Sequence, residues 1–232
     1  MVLKDWDELP PELRCDELRP YYDILRRHRG GLTAKRGFDI AASALLLAAL
    51  SPVLLAVSAA VAADSRGGVF FLQERVTAYA RHFKIIKFRT MVPDAESLGS
   101  QLTMSGDMRV TRVGRFLRKS RLDELPQLVN ILVGDMSFVG TRPEVPRYVA
   151  RYTNEMLATL LLPAGVTSEA SIRYKDEYKL LTGAENVDDA YVQKVLPGKM
   201  YYNLKAIEDF SILNELRTML RTVLAVCGKE YK

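Results

Sequence analysis

Ile40-AASALLLAALSPVLLAVSAAVA-Ala63 runs for 24 residues without a charge, between Asp39 and Asp64, and its reading decides the fold. About 20 helical residues suffice to cross a bilayer. Ser51-Pro52 falls near the middle, however, and proline inside a helix removes one hydrogen bond and clashes with the carbonyl four residues back. Each arm is then about a dozen residues, or roughly 18 Å at 1.5 Å per residue. That is about half of a hydrocarbon core roughly 30 Å thick. Arg26, Arg27, Arg29, Lys35 and Arg36 precede the segment, and Arg66, Arg75, Arg81 and Lys84 follow it. Positive charge at both ends is what the positive-inside rule expects when both ends stay cytoplasmic. We therefore expect a re-entrant helix-break-helix, with a kinked full span as the alternative. The carbonyls freed near Ala48 and Ala49 need a donor, and Ser51 is the candidate. The segment begins too far from the N-terminus, after too many charges, to be a signal peptide.

The 232 residues allow one or two domains, and 48% apolar with 26% charged residues is an ordinary folded composition. A net charge of +5 and a pI near 9.1 point to an anionic partner. Cys15 and Cys227 lie at opposite ends, so no disulfide framework follows, and the compartment reads as reducing. His28 and His82 alone argue against a histidine-based zinc site. Three parts are expected: a polar, amphipathic segment over 1–34, the re-entrant helix over 35–66, and a cytoplasmic catalytic domain over 67–232. The first would place short helices on the membrane surface or against the main domain. Val69–Val76 and His82–Arg89 read as two strands joined by Thr77–Arg81. Residues 93–107 read as a mobile loop. Ile212, Leu213, Leu216, Met219, Leu220, Val223 and Leu224 give the last helix an apolar face, suited to an interface or to a plain core. The fold class expected is α+β, predominantly helical, membrane-attached by the re-entrant pair, with interfacial amphipathic helices and a small β-hairpin.

Ser120-RLDELPQ-Leu128 carries two adjacent carboxylates, Asp123 and Glu124, behind arginines at 109, 112, 115, 118 and 121. Pro126 suits the first turn of a helix. The acidic pair therefore sits near a helix N-terminus, where the macrodipole favours negative charge. A carboxylate kept ionised among guanidiniums can attack phosphorus while its neighbour holds a divalent metal. The plainer reading is a charged first turn, with the arginines as one exposed helical stripe facing anionic lipid.

Lys35-Arg36 and Ser51-Pro52 are followed in order by Phe71-LQE-Arg75, Lys87-FRT-Met91, Arg109-VTRVGRFL-Arg118, Leu122-DELPQ-Leu128, Gly134-DMSFV-Gly140 and Arg142-Pro143. Together they resemble the bacterial sugar transferases, the monotopic phosphoglycosyl transferases, in their small minimal-domain form. The resemblance covers about residues 35–163. It implies transfer of a sugar 1-phosphate from a nucleotide diphosphate sugar, usually a UDP-sugar, to polyprenyl phosphate, with Mg²⁺, at the cytoplasmic face of the bacterial inner membrane. Asp123 would be the nucleophile, leaving an aspartyl phosphosugar as UMP departs, and Glu124 would hold Mg²⁺. Lys87, Arg118 and Arg142 match the family's basic positions and would cradle phosphate. Gln73, Glu74 and Arg75 match a motif without evident chemistry, and a structural role, such as pairing with the flanks of the apolar segment, is expected of them. Gly140-Thr-Arg-Pro, residues 163–173 and Asn203 depart from the family pattern, which leaves the sugar open. Membrane lipids are expected partners and a homodimer is left open. A nucleic-acid partner is not expected, because no recognition motif accompanies the arginines. The alternative function is a non-catalytic membrane scaffold that binds acidic lipids or a partner enzyme. A multi-spanning transferase acting by direct attack would need more than one apolar segment.

Overall fold

The structure is a computed structural model, and it describes residues 3–93, 95, 107–184 and 186–226. Three 3-10 turns, Trp6–Glu8, Pro11–Leu13 and Asp16–Leu18, lead into α1 (Arg19–Arg27). Leu13, Leu18, Tyr22 and Leu25 are buried in one cluster with Leu161, Leu204, Ile207 and Phe210. The N-terminal segment thus packs on the main domain, the second of its two expected locations.

Helix α2 (Arg29–Ala49) and α3 (Ser51–Asp64) meet at Leu50 with a bend of 63°. The chain breaks ahead of Pro52, which occupies the first turn of α3, where its missing N–H leaves nothing unpaired. Ser51 Oγ donates to Ala48 O at 2.8 Å, as expected of the freed carbonyl. No single described helix is long and apolar enough to cross a membrane, whereas the bent pair is by length and composition. Leu45 and Leu55 are about 70% exposed on it.

Strands β1 (Phe70–Val76) and β2 (His82–Phe88) pair antiparallel, with Phe71 opposite Lys87 and Glu74 opposite Lys84. Alternating side chains give β1 one half-buried face. The expected loop over 93–107 lies mostly outside the described residues. Helix α4 (Arg112–Ser120) is N-capped by Thr111 Oγ1, which accepts Gly114 N, and by Asp64 Oδ2, which accepts Val113 N at 2.9 Å. It ends at Arg121, whose φ of 58° is left-handed. Arg109 and Arg121 therefore lie outside the helix, and the single arginine stripe does not form. Asp123 and Glu124 occupy a 3-10 turn of their own, Leu122–Glu124, and α5 (Gln127–Val133) starts after Pro126.

The remaining chain is β3 (Met136–Val139), α6 (Pro146–Val149), β4 (Ala164–Thr167), α7 (Glu169–Arg173), α8 (Tyr178–Leu181), α9 (Val187–Ala190), a π-turn over Tyr191–Val195, α10 (Leu196–Glu208) and α11 (Ile212–Val226). β3 and β4 pair in parallel, a second small sheet that the sequence did not announce. Gly140 and Gly165 meet where this pair ends, since a Cβ on Gly165 would stand 2.1 Å from Gly140 N. α11 exposes Leu213, Leu216, Leu220 and Val223 rather than burying them. The described residues are predominantly helical and form two two-stranded sheets.

Candidate active site

Four elements converge on the acidic turn. β2 brings Lys87, α4 brings Arg118, the 3-10 turn brings Asp123 and Glu124, and the backbone after β3 brings Arg142. Lys87 Nζ lies 3.1 Å from Glu124 Oε1, and Arg142 Nη2 lies 2.5 Å from the same oxygen. The Glu124 and Lys87 side chains are only 12% and 18% exposed. Arg118 Nε donates to Thr90 Oγ1 at 2.8 Å. Asp123 is 9% exposed, and its Oδ1 is buried without a hydrogen-bond partner.

The two carboxyls are driven apart. Burial, joined by the charge of Glu124, raises the Asp123 carboxyl above its ordinary value, against the pull of Lys87, Arg121 and Arg118. Burial would also raise Glu124, but Arg142 and Lys87 outweigh it and hold that carboxyl far below the usual carboxylate range. Adjacent Glu124 strengthens the Arg142 charge, while burial depresses the Lys87 ammonium. One carboxylate is thus committed to two cations, and its neighbour keeps an oxygen with no partner. Such divergence within a pair of acids is a common mark of divided chemical labour.

Local structure explains the placement. The Thr111 N–H donates to Thr90 O at 3.0 Å, and Gly114 lets α4 approach so closely that a Cβ there would stand 2.1 Å from Thr90 O. Asn130, 2% exposed on α5, accepts from Ile86 N at 3.0 Å and donates to Lys84 O at 2.9 Å. It occupies the free edge of β2 as a third strand would, and so fixes α5 against the strand that carries Lys87. Arg36 donates to Ile131 O and Leu132 O at 2.6 and 2.8 Å, which caps the C-terminal end of α5 with a cation. Asp39 Oδ1 accepts from Phe138 N at 3.3 Å, and Lys35 Nζ reaches Val139 O at 2.9 Å and an oxygen of Glu215.

Thr90, Gly114, Asn130 and Asp39 were not singled out from sequence. Asn130 alone left a usable signal, as a polar residue among Leu128, Val129, Ile131 and Leu132. Arg75 does not pair with the flanks of the apolar segment: its Nη1 donates to Pro143 O at 2.9 Å, and its Nε and Nη2 go to Gln73. Glu74 pairs with His82 across the hairpin. A cavity of about 320 Å³ opens between α7, α10 and α11, and none of the five residues around the acidic turn lines it. Asn203, whose Oδ1 is buried without a partner, does line it.

Residues 31–229 match a family model described as bacterial sugar transferase. The chain is 47% identical, over 53% of its length and 29% of the relative's, to a UDP-N-acetylgalactosamine-undecaprenyl-phosphate N-acetylgalactosaminephosphotransferase of Aeromonas hydrophila. It is 40% identical over 64% of its length and 82% of the relative's to a putative undecaprenyl-phosphate N-acetylgalactosaminyl 1-phosphate transferase of Bacillus subtilis. A UDP-glucose:undecaprenyl-phosphate glucose-1-phosphate transferase of Caulobacter vibrioides is 35% identical, over 82% of this chain and 68% of the relative. The chain therefore spans under a third of the Aeromonas relative's length and most of the Bacillus relative's.

Proposed function

Because this chain belongs to the bacterial sugar transferase family, we propose that it transfers a sugar 1-phosphate from a UDP-sugar to polyprenyl phosphate through a phosphosugar carried on Asp123. The observation that carries this reading is the unequal carboxylate pair: Glu124 bound by Lys87 and Arg142, Asp123 with a buried oxygen left unpartnered. In the first step an Asp123 oxygen attacks the sugar-bearing phosphorus, and the bond from that phosphorus to the bridging oxygen breaks. UMP leaves with that oxygen and its electron pair. In the second step an oxygen of polyprenyl phosphate attacks the same phosphorus, and the Asp123 carboxylate departs, giving polyprenyl diphosphate sugar. Arg142, Lys87 and Arg118 hold the phosphate oxygens, the guanidiniums as forks and the ammonium as a point charge. Charge that develops on the leaving phosphate is met by cations already in place.

Among the described residues no three His, Cys, Asp or Glu side chains converge into a metal cage. Mg²⁺ commonly sits on one or two carboxylates together with phosphate oxygens. Glu124 fits that role, since both of its ion pairs use Oε1. Bound there with the donor diphosphate, Mg²⁺ would neutralise charge on the phosphate oxygens.

The acceptor keeps its tail in lipid, so the site belongs at the cytoplasmic headgroup plane of the cell membrane. The shared core supports a re-entrant pair over a span. Residues 3–27 pack with Leu204 and Phe210, and Asp64 at the far end of the pair binds the start of α4. Both ends are thus fastened to the same folded body, which favours the re-entrant reading. In a cysteine-free background, Ala34→Cys and Gly68→Cys should both label from the cytoplasmic side, and opposite labelling would establish a span.

The direct test is enzyme with labelled donor and no acceptor. UMP release should stop at one equivalent, and the label should stay on acid-quenched protein. Asp123→Asn should abolish both. Normal turnover with no label on the protein removes Asp123 as nucleophile.

A further inference from the structure

Glu144 is 7% exposed, Lys199 5% and Tyr191 1%, and none of the three has a part in the chemistry described above. Glu144 Oε1 accepts from the Tyr191 hydroxyl and from Lys199 Nζ, the latter at 3.1 Å. Lys199 Nζ also donates to Tyr191 Oη at 2.7 Å and to Glu177 Oε2 at 3.2 Å. Replacing a buried ion pair with apolar side chains of like volume is often neutral or stabilising, so net stability alone does not explain why this cluster is charged. What it fixes is the position of the backbone that carries it.

That backbone is Arg142-Pro143-Glu144. Val76 N donates to Glu144 O at 3.0 Å, and Arg75 Nη1 donates to Pro143 O at 2.9 Å. β1 therefore holds the stretch from one side, by its last two residues. The Glu144 side chain, held from the π-turn by Tyr191 and from α10 by Lys199, fixes it from the other. Two residues before Glu144, Arg142 must keep its guanidinium on Glu124 although it stands outside any helix or strand. A π-turn inside a helix is rare and costs hydrogen-bond geometry. Here it carries the tyrosine that reaches Glu144.

We propose that Glu144, Lys199 and Tyr191, with Arg75, are positioning residues that hold Arg142 on the acidic turn, so that the π-turn and α10 support the donor site through Arg142. This inference rests on the function proposed above for its kinetic arm alone. None of these residues touches the reacting atoms; they act through Arg142.

The 232-residue chain in nanodiscs tests it with Glu144→Gln and Lys199→Met. Two readouts are taken: the donor concentration that half-saturates UMP release, and amide hydrogen exchange over residue 76 and residues 140–145. Both variants should raise the half-saturating donor concentration about ten-fold. They should also speed exchange at Val76 N and along 140–145. A merely structural role would lower the folded fraction, and with it the amplitude of release, while the half-saturation point and the exchange of the folded fraction stayed as in wild type. That result overturns the proposal. Tyr191→Phe removes one hydroxyl and leaves the ion pair, so it decides the question if the charge variants do not fold, with about a three-fold shift expected. Exchange is read without turnover. A wild type that releases no UMP would sink the function reading, and exchange would still decide the positioning.

Discussion

Replacing Asn130 with alanine should destabilise the fold well beyond the range of an ordinary surface exchange. The side chain satisfies one donor and one acceptor on the outer edge of β2, at 3.0 and 2.9 Å, and is 2% exposed. Alanine leaves Ile86 N–H and Lys84 C=O without partners, each at about 1–3 kcal/mol for an unsatisfied buried group. Partial access of water to the strand edge keeps the sum near the lower part of that range, about 2–4 kcal/mol. A chain of this length loses roughly 2–4 °C in melting temperature per kcal/mol, so a fall of roughly 4–16 °C is expected. Urea unfolding followed by circular dichroism reads the free energy directly. Asn130→Asp separates the two bonds: it keeps the acceptor for Ile86 N and loses the donor for Lys84 O, and should fall between wild type and alanine. UMP release should drop alongside, since the same side chain fixes the spacing between Lys87 and the acidic turn. An alanine variant within about 0.5 kcal/mol of wild type, the range of a neutral surface exchange, would refute the staple.

Arg142→Gln leaves Glu124 with Lys87 as its remaining ion-pair partner and should slow single-turnover UMP release about a hundred-fold, near 3 kcal/mol; an effect below three-fold would remove Arg142 from the donor site. Gly114→Ala forces a methyl into Thr90 O and should cost about 1–3 kcal/mol by overpacking, while weakening the Arg118–Thr90 bond; thermal unfolding checks the first and the donor titration the second. Glu144 is raised by burial but pulled below its ordinary value of 4.5 by Lys199, Tyr191 and Arg75. A depressed carboxyl contributes stability that is present above the unfolded value and lost as pH falls through the folded one. Unfolding free energy should therefore decline as pH drops below about 4.5, and Glu144→Gln should flatten that part of the profile; an identical slope in both proteins would refute the assignment.

Much of this architecture was legible because it depends on local pattern. Two short runs joined by Thr77–Arg81 marked β1 and β2, Ser51-Pro52 marked the break, and the acidic pair with its basic companions stood in motifs that could be quoted. What stayed hidden depends on partners far apart in the chain. Nothing in Leu18 or Leu25 says that Leu204 and Phe210 will cover them. Strands of four residues such as β3 and β4 are too short to show a period, and the parallel pairing needs an irregular crossover that carries no signal of its own. The arginines spaced three apart suggested one stripe because nothing at Arg121 warned of a left-handed residue; a glycine there would have done so. Arg75 could be given a structural role but not its partner, because Pro143 O lies 68 positions downstream.

The N-terminal cluster, closed by Leu204, Ile207 and Phe210, has a consequence for synthesis. Ribosomes add about 5–20 residues per second, so Leu25 waits roughly ten to forty seconds for partners some 180 positions later in the chain. The bent apolar pair emerges well inside that interval. For the re-entrant placement proposed above, the orientation of the pair is set while the body that will fasten both of its ends has not yet been made, with the basic flanks already present to guide it. On that proposal the finished fold acts as a latch, holding the topology that the nascent chain adopted rather than selecting it.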